Sequence, residues 1–175
     1  LVGGAVTAGT VNPIVVLGNT VFEGNHSDGS GGAIYTSGSL IVKGATFRGN
    51  YSEASGGAIY FHNSKDSTWE PRDAEFTDCT FEGNSAGLGG AIVFSRTNGA
   101  DENSEGIMAT IKDCKFITNQ AVRTESSEGL GGALYITQKA ELAVSGCEFT
   151  ENSSSYGGGA VSVHNEAKLD MSDCT

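Results

Sequence analysis

Proline and tryptophan are almost missing: the 175 residues include 2 Pro and 1 Trp. Cationic side chains are scarce too, with 10 Lys and Arg against 21 Asp and Glu, a formal charge of −11. That balance argues against a nucleic-acid partner, since phosphate binding needs clustered Lys and Arg. It argues equally against docking on an anionic lipid surface. No apolar run reaches 18 residues, so no segment reads as a membrane-spanning helix and no direct membrane insertion is expected. No charged region followed by an apolar stretch opens the chain, so no signal peptide is visible. The first residue is Leu, which points to a mature product or an excised piece. Hydrophobic residues supply only 38%, thin for a compact core. Glycine is the abundant residue, 26 in all, and without a Gly-X-Y period it does not indicate collagen.

What is present is a repeat. Gly-Gly-Ala followed by an aliphatic residue begins at Gly3, Gly31, Gly56, Gly89, Gly131 and Gly158. Phe-x-x-Asn alternates with it, at Phe22–Asn25, Phe47–Asn50, Phe81–Asn84, Phe116–Asn119 and Phe149–Asn152. The offsets from Phe to the next Gly-Gly are 9, 9, 8, 15 and 9, and those from Gly-Gly to the next Phe are 19, 16, 25, 27 and 18. A near-constant unit with variable insertions is solenoid behaviour, because loops lengthen without disturbing the stack.

Alignment on Phe exposes further positions. Two residues earlier stand Thr20, Ala45, Cys79, Cys114 and Cys147; three earlier stand Asn19, Gly44, Asp78, Asp113 and Gly146. Five earlier stand Leu17, Val42, Phe76, Ile111 and Val144, and seven earlier Val15, Leu40, Ala74, Ala109 and Leu142. Leu169, Met171, Asp173 and Cys174 fit the same frame, so the chain is expected to stop in mid-repeat of a longer solenoid. Apolar residues alternate with polar ones at period 2, and no 3.6-residue period is sustained. Gly, Asn or Asp at the bends tolerates positive φ. Three short strands per unit are therefore predicted, wound as an all-β parallel β-helix of about six coils over 1–175. Like residues would stack about 4.8 Å apart.

The alternating Gly-Gly-Ala-Ile and Phe-x-x-Asn motifs resemble the repeats of chlamydial polymorphic outer membrane proteins, over essentially the whole chain. Those are autotransporters whose passenger is a right-handed β-helix. The resemblance implies a right-handed coil, an extracellular location at the cell surface, and an adhesive or surface-building role. It implies no catalytic residue, since the shared motifs are structural. The translocator barrel and signal of an autotransporter are not in this sequence, as expected of an internal piece.

Cys79, Cys114, Cys147 and Cys174 share one coil position. Stacked parallel side chains suit a disulfide poorly, because its Cβ atoms converge to about 3.8 Å. Buried reduced thiols are expected, and the spacing does not suit zinc. Asn25, Asn50, Asn84, Asn119 and Asn152 predict a ladder of side-chain amides, with Phe22, Phe47, Phe81, Phe116 and Phe149 stacked beside it. Asn25, Asn50 and Asn152 also begin N-x-Ser sequons, so glycosylation is the alternative use of those three. The Gly-Gly pairs lack a phosphate-loop context and read as tight bends. His26, His62 and His164 form no motif and read as chance surface residues.

The long offsets place insertions around His62–Asp73 and Ser95–Gly106, on consecutive units. Side by side they would form one patch, with Trp69, Glu70, Arg72, Arg96 and Asp101 as the candidate interaction loop; aromatic residues beside Arg anchor interfaces. Asp101–Gly106 is oxygen-rich, as calcium prefers, but lacks EF-hand spacing, and no resident cofactor is expected. The expected function is non-catalytic: cell-surface contact or fibre assembly, with a protein, a cell-surface glycan or further copies end to end as partners. The alternative is a polysaccharide lyase or hydrolase, or a glycan-binding β-helix. Lyase or hydrolase chemistry needs convergent carboxylates, and the outward lists Val21, Thr46, Thr80, Lys115, Glu148 and Val16, Ile41, Glu75, Thr110, Ala143, Asp170 show none. Ice binding would need a flat Thr array, which these positions lack.

Overall fold

Strands of two to five residues, separated by bends at positive φ, coil the chain into a stack of parallel sheets. The computed structural model describes residues 3–9, 12–63, 73–96 and 108–175; side chains 63 and 96 are not described. No helix occurs among them.

Sheet A carries the strands that follow Gly-Gly-Ala: Val6–Ala8, Ile34–Thr36, Ile59–Asn63, Ile92–Arg96, Leu134–Ile136 and Val161–Val163. Sheet B carries Ile14–Leu17, Leu40–Lys43, Ala74–Thr77, Met108–Lys112, Glu141–Ser145 and Lys168–Ser172. Sheet C is formed by Val21–Glu23, Thr46–Arg48, Thr80–Glu82, Lys115–Ile117 and Glu148–Thr150. A fourth sheet, D, holds pairs of residues: His26–Ser27, Tyr51–Ser52, Ser85–Ala86, Gln120–Ala121 and Ser153–Ser154. Among the described residues every strand pairing is parallel, each strand bonding to its equivalent one coil away, for example Phe47↔Phe81↔Phe116. Each coil thus has four strands rather than the predicted three. The missed strand is two residues long, too short to show a period.

Register departs from the sequence alignment in the first coil. Val16, not Leu17, pairs with Val42, and Ile14 pairs with Leu40. Val15 and Leu17 point outward, 57% and 60% exposed. The cause is one extra residue at the bend. Gly18, not Asn19, takes the left-handed position that Gly44, Asp78 and Asp113 take in later coils. Since strand side chains alternate, a one-residue slip turns the whole strand over.

The core is a column inside the coils. Ile34, Ile59, Ile92 and Leu134 come from sheet A; Leu40, Val42, Phe76, Ile111 and Val144 from sheet B; Phe47, Phe81 and Phe116 from sheet C. Phe76 meets Phe81 and Phe94 edge-on at 6.0 and 6.1 Å, joining three sheets in the middle coils. Two separate demands explain Gly-Gly. Gly56 has φ +68°, and a Cβ on Gly57 would overlap the Gly90 carbonyl oxygen of the next coil and stand 2.6 Å from the Ser85 backbone. The first glycine turns the chain; the second lets two coils lie at strand spacing.

Candidate functional site

Inside the coils, the repeated residues form ladders. Phe22, Phe47, Phe81, Phe116 and Phe149 stack with ring centroids 4.8 to 4.9 Å apart and planes within 6°. Isolated aromatic pairs prefer offset or edge-on contact; here the strand spacing imposes the parallel arrangement.

The asparagines saturate one another. Asn84 Nδ2 donates to Phe47 O below, 3.0 Å, and to Asn119 Oδ1 above, 2.9 Å. Its Oδ1 accepts from Asn50 N and Asn50 Nδ2 at 3.0 and 2.9 Å. Asn25 and Asn152 continue the ladder at its ends. The Nδ2 atom that a glycan would modify is therefore engaged in each sequon: Asn25 to Asn50, Asn50 to Phe22 O and Asn84, Asn152 to Phe116 O.

All four cysteines are free thiols; Cys79, Cys114 and Cys147 are buried and Cys174 is half-buried. They are more than small apolar fillers. Cys114 Sγ accepts the Cys79 amide at 3.4 Å and donates to Lys112 O at 3.2 Å; Cys147 Sγ accepts the Cys114 amide at 3.4 Å. Hydrogen bonding to Cys147 and Cys79, together with burial, pushes the Cys114 thiol well above the usual thiol range, while the hydrogen bond with Cys114 lowers the thiols of Cys79 and Cys147 to about 7. A thiol held protonated is a poor nucleophile and a poor metal ligand.

The outer faces of the coils carry the charged side chains. Among the described residues five ion pairs join adjacent coils: Glu23–Arg48, Lys43–Glu75, Lys115–Glu148, Lys139–Glu166 and Glu141–Lys168, at 3.1, 3.2, 3.7, 3.7 and 2.6 Å. All are exposed, and each contributes little to stability. Their effect is to spread charge of both signs over sheets B and C. The outward column of sheet B runs Val15, Ile41, Glu75, Thr110, Ala143 and Asp170, beginning one residue earlier than the sequence alignment placed it.

The outer side of sheet A differs. Tyr35 and Tyr60 stack at 5.5 Å, and His62 leans on both at 5.1 and 5.4 Å. Val93, Leu130 and Tyr135 are buried there in a small second apolar cluster, with Leu88 and Tyr60 against it. Burial raises the Tyr60 phenol pKa; burial and then neighbouring Tyr60 raise that of Tyr35. His164 leans on Tyr135 at 5.5 Å. His62 and His164 thus both lie beside tyrosines of sheet A, His164 being exposed. Period 2 puts His62 on the face of Tyr60, and stacking carries Tyr35 and Tyr135 to the same sheet. The sequence signal was Tyr35, Tyr60 and Tyr135 at one offset after Gly-Gly.

Of the candidate interaction loop, Trp69, Glu70, Arg72 and Asp101 lie outside the described residues, as does the acidic stretch 101–106 considered for calcium. Arg96 is described in its backbone alone, paired with Asn63. The roots of the insertions are described. Asn63 pairs with Arg96 where they leave, and Ala74 pairs with Ala109 where they return. Both insertions thus depart from one corner, between sheets A and B, on adjacent coils.

A family model for the right-handed β-helix region matches residues 14–175. No curated protein and no solved structure matches the chain.

Proposed function

The chain belongs to the right-handed β-helix family, and from that premise we propose that it is a non-catalytic, extracellular scaffold that makes adhesive or fibre-building contacts at a cell surface. The fold serves adhesins and polysaccharide-processing enzymes alike, so the choice rests on the outer surface. The observation that carries the reading is the contrast between interior and exterior. Interior positions repeat one chemistry coil after coil. The outward columns of sheets B and C do not, and several of their charged groups are tied in ion pairs between coils. A scaffold needs the first property and tolerates the second, whereas glycan cleavage needs carboxylates converging on one bond. The resemblance to chlamydial polymorphic outer membrane proteins belongs to this reading. So does the contact point, the corner from which both insertions leave, with Trp69 as its anchor.

The test is adherence. Beads coated with the chain are expected to bind epithelial-cell monolayers above beads coated with albumin, and Trp69→Ala is expected to lower that binding. Equal adherence of coated and control beads would count against the proposal. Release of unsaturated or reducing uronates from pectin or alginate would replace it with the enzymatic alternative.

A further inference from the structure

Where sheet D turns toward sheet A, three metal-binding side chains meet that the adhesive reading leaves unused. His26, Asp28 and Glu53 present ligand atoms all within 4.8 Å of one another, and His26 Nε2 stands 3.6 Å from Asp28 Oδ1. His26 and Asp28 lie two residues apart in one coil, while Glu53 comes from the next. The register Ser27↔Ser52 puts Glu53 directly over Asp28.

The backbone beneath them is fixed. Glu53 N–H donates to Ser27 O and Ala54 N–H to Gly29 O, both at 3.0 Å. Ser27 Oγ accepts the Gly29 amide at 3.2 Å, which holds the turn carrying Asp28. The His26 ring rests edge-on against Tyr51 at 5.0 Å. All three side chains are exposed, so rotation alone can bring them together.

Charge supplies the second, independent observation. Like charges placed directly opposite on neighbouring strands repel. In the column that Asp78 and Asp113 share, Lys112 stands 3.9 Å from Asp113. Beside Asp28 and Glu53 the group at hand is the imidazole of His26, whose ring nitrogens can serve as metal ligands. Two carboxyl groups and an imidazole supply three ligand atoms of a coordination shell.

We propose that His26, Asp28 and Glu53 bind one divalent first-row transition ion, with Zn2+ as the fitting probe. Imidazole nitrogen with carboxylate oxygen suits Zn2+, whose bonds of about 2.0–2.2 Å set ligand atoms about 3.3 Å apart. Water fills the remaining positions, and the ion's two positive charges cancel the repulsion between the coils. The site ties the first coil to the second.

Zn2+ titration of the whole chain, followed by calorimetry and by the imidazole NMR signals, is the test. One equivalent is expected to bind, moving the His26 signals and leaving those of His62 and His164 in place. His26→Ala and the double variant Asp28→Asn/Glu53→Gln are each expected to weaken binding about tenfold or more. Cys174→Ser is expected to bind as the unmodified chain does. Zn2+ should raise the melting temperature of the unmodified chain and of Cys174→Ser, and that of His26→Ala and Asp28→Asn/Glu53→Gln less or not at all. Without metal, the double variant should melt no lower than the unmodified chain, which shows that it folds. The proposal is overturned if His26 signals stay fixed at millimolar Zn2+, or if either variant binds with unchanged affinity.

Discussion

At the scale of single residues, position in the coil decides what a side chain contributes. Ser52 occupies the inward position of sheet D that Ala86 and Ala121 fill in later coils, and its buried hydroxyl finds no partner among the described residues. An unpaired buried hydroxyl costs about 1–3 kcal/mol. Ser52→Ala is therefore expected to raise stability by about 1 kcal/mol, or about 2–4 °C in melting temperature; a lower melting temperature would contradict this. Tyr60 gives a pH prediction. Its phenol pKa is raised in the folded chain above the ordinary 10.0, chiefly by burial. The unfolded phenol thus ionises first. The contribution is complete below pH 10 and lost as pH rises beyond it. Urea unfolding is expected to show stability falling above about pH 10, and Tyr60→Phe is expected to flatten that fall. An identical fall in both proteins would sink the argument.

Legibility at this scale divides by sequence distance. Phe47 and Asn50 were readable because each recurs at a fixed offset. The meeting of His26 with Glu53 was not, since it depends on a register between coils that the Phe alignment does not reach. Val15 and Leu17 were read inward because Asn19 was counted as the bend. One inserted residue reversed that strand.

At the scale of the element, no strand holds itself. A strand of two residues, such as Ser85–Ala86, has no propensity worth counting. It exists because the Asn84 and Asn119 side chains fix its ends against neighbouring coils. That is why sheet D escaped the sequence reading while sheets A, B and C did not: its evidence was a column of side chains rather than an alternation. The ladder predicts a graded cost. Asn84→Ala strands the Asn50 amide and the Phe47 carbonyl in the interior, at about 1–3 kcal/mol each. Asn25→Ala, at the half-buried end, removes the Nδ2 bond to Asn50 Oδ1, leaves the Asn25 backbone amide bonded to the same oxygen, and is expected to cost about 1 kcal/mol. Urea midpoints should fall in that order. Equal losses at the two positions would mean that the ladder carries no weight.

At the scale of the whole molecule, stability and function divide between inside and outside. The stacked interior tolerates an insertion wherever strands rejoin in register, as at Ala74↔Ala109 after two long insertions. Growth at a corner therefore leaves the core unchanged, and adjacent insertions share one site of departure. A surface of this kind can vary while the coil persists, which suits a contact protein. Handedness lay beyond the residues themselves, because a period of 2 has no hand. The match to the right-handed β-helix family over residues 14–175 supplies it.

The claim on which all of this depends is that like residues stack coil upon coil. Scalar couplings across hydrogen bonds, measured by NMR on labelled protein, test it directly. Coupling is expected from the Thr80 amide to the Ala45 carbonyl and from the Lys115 amide to the Cys79 carbonyl. Couplings that instead join neighbouring strands of one unit, in antiparallel pairs, would contradict the stacked coil and everything built on it.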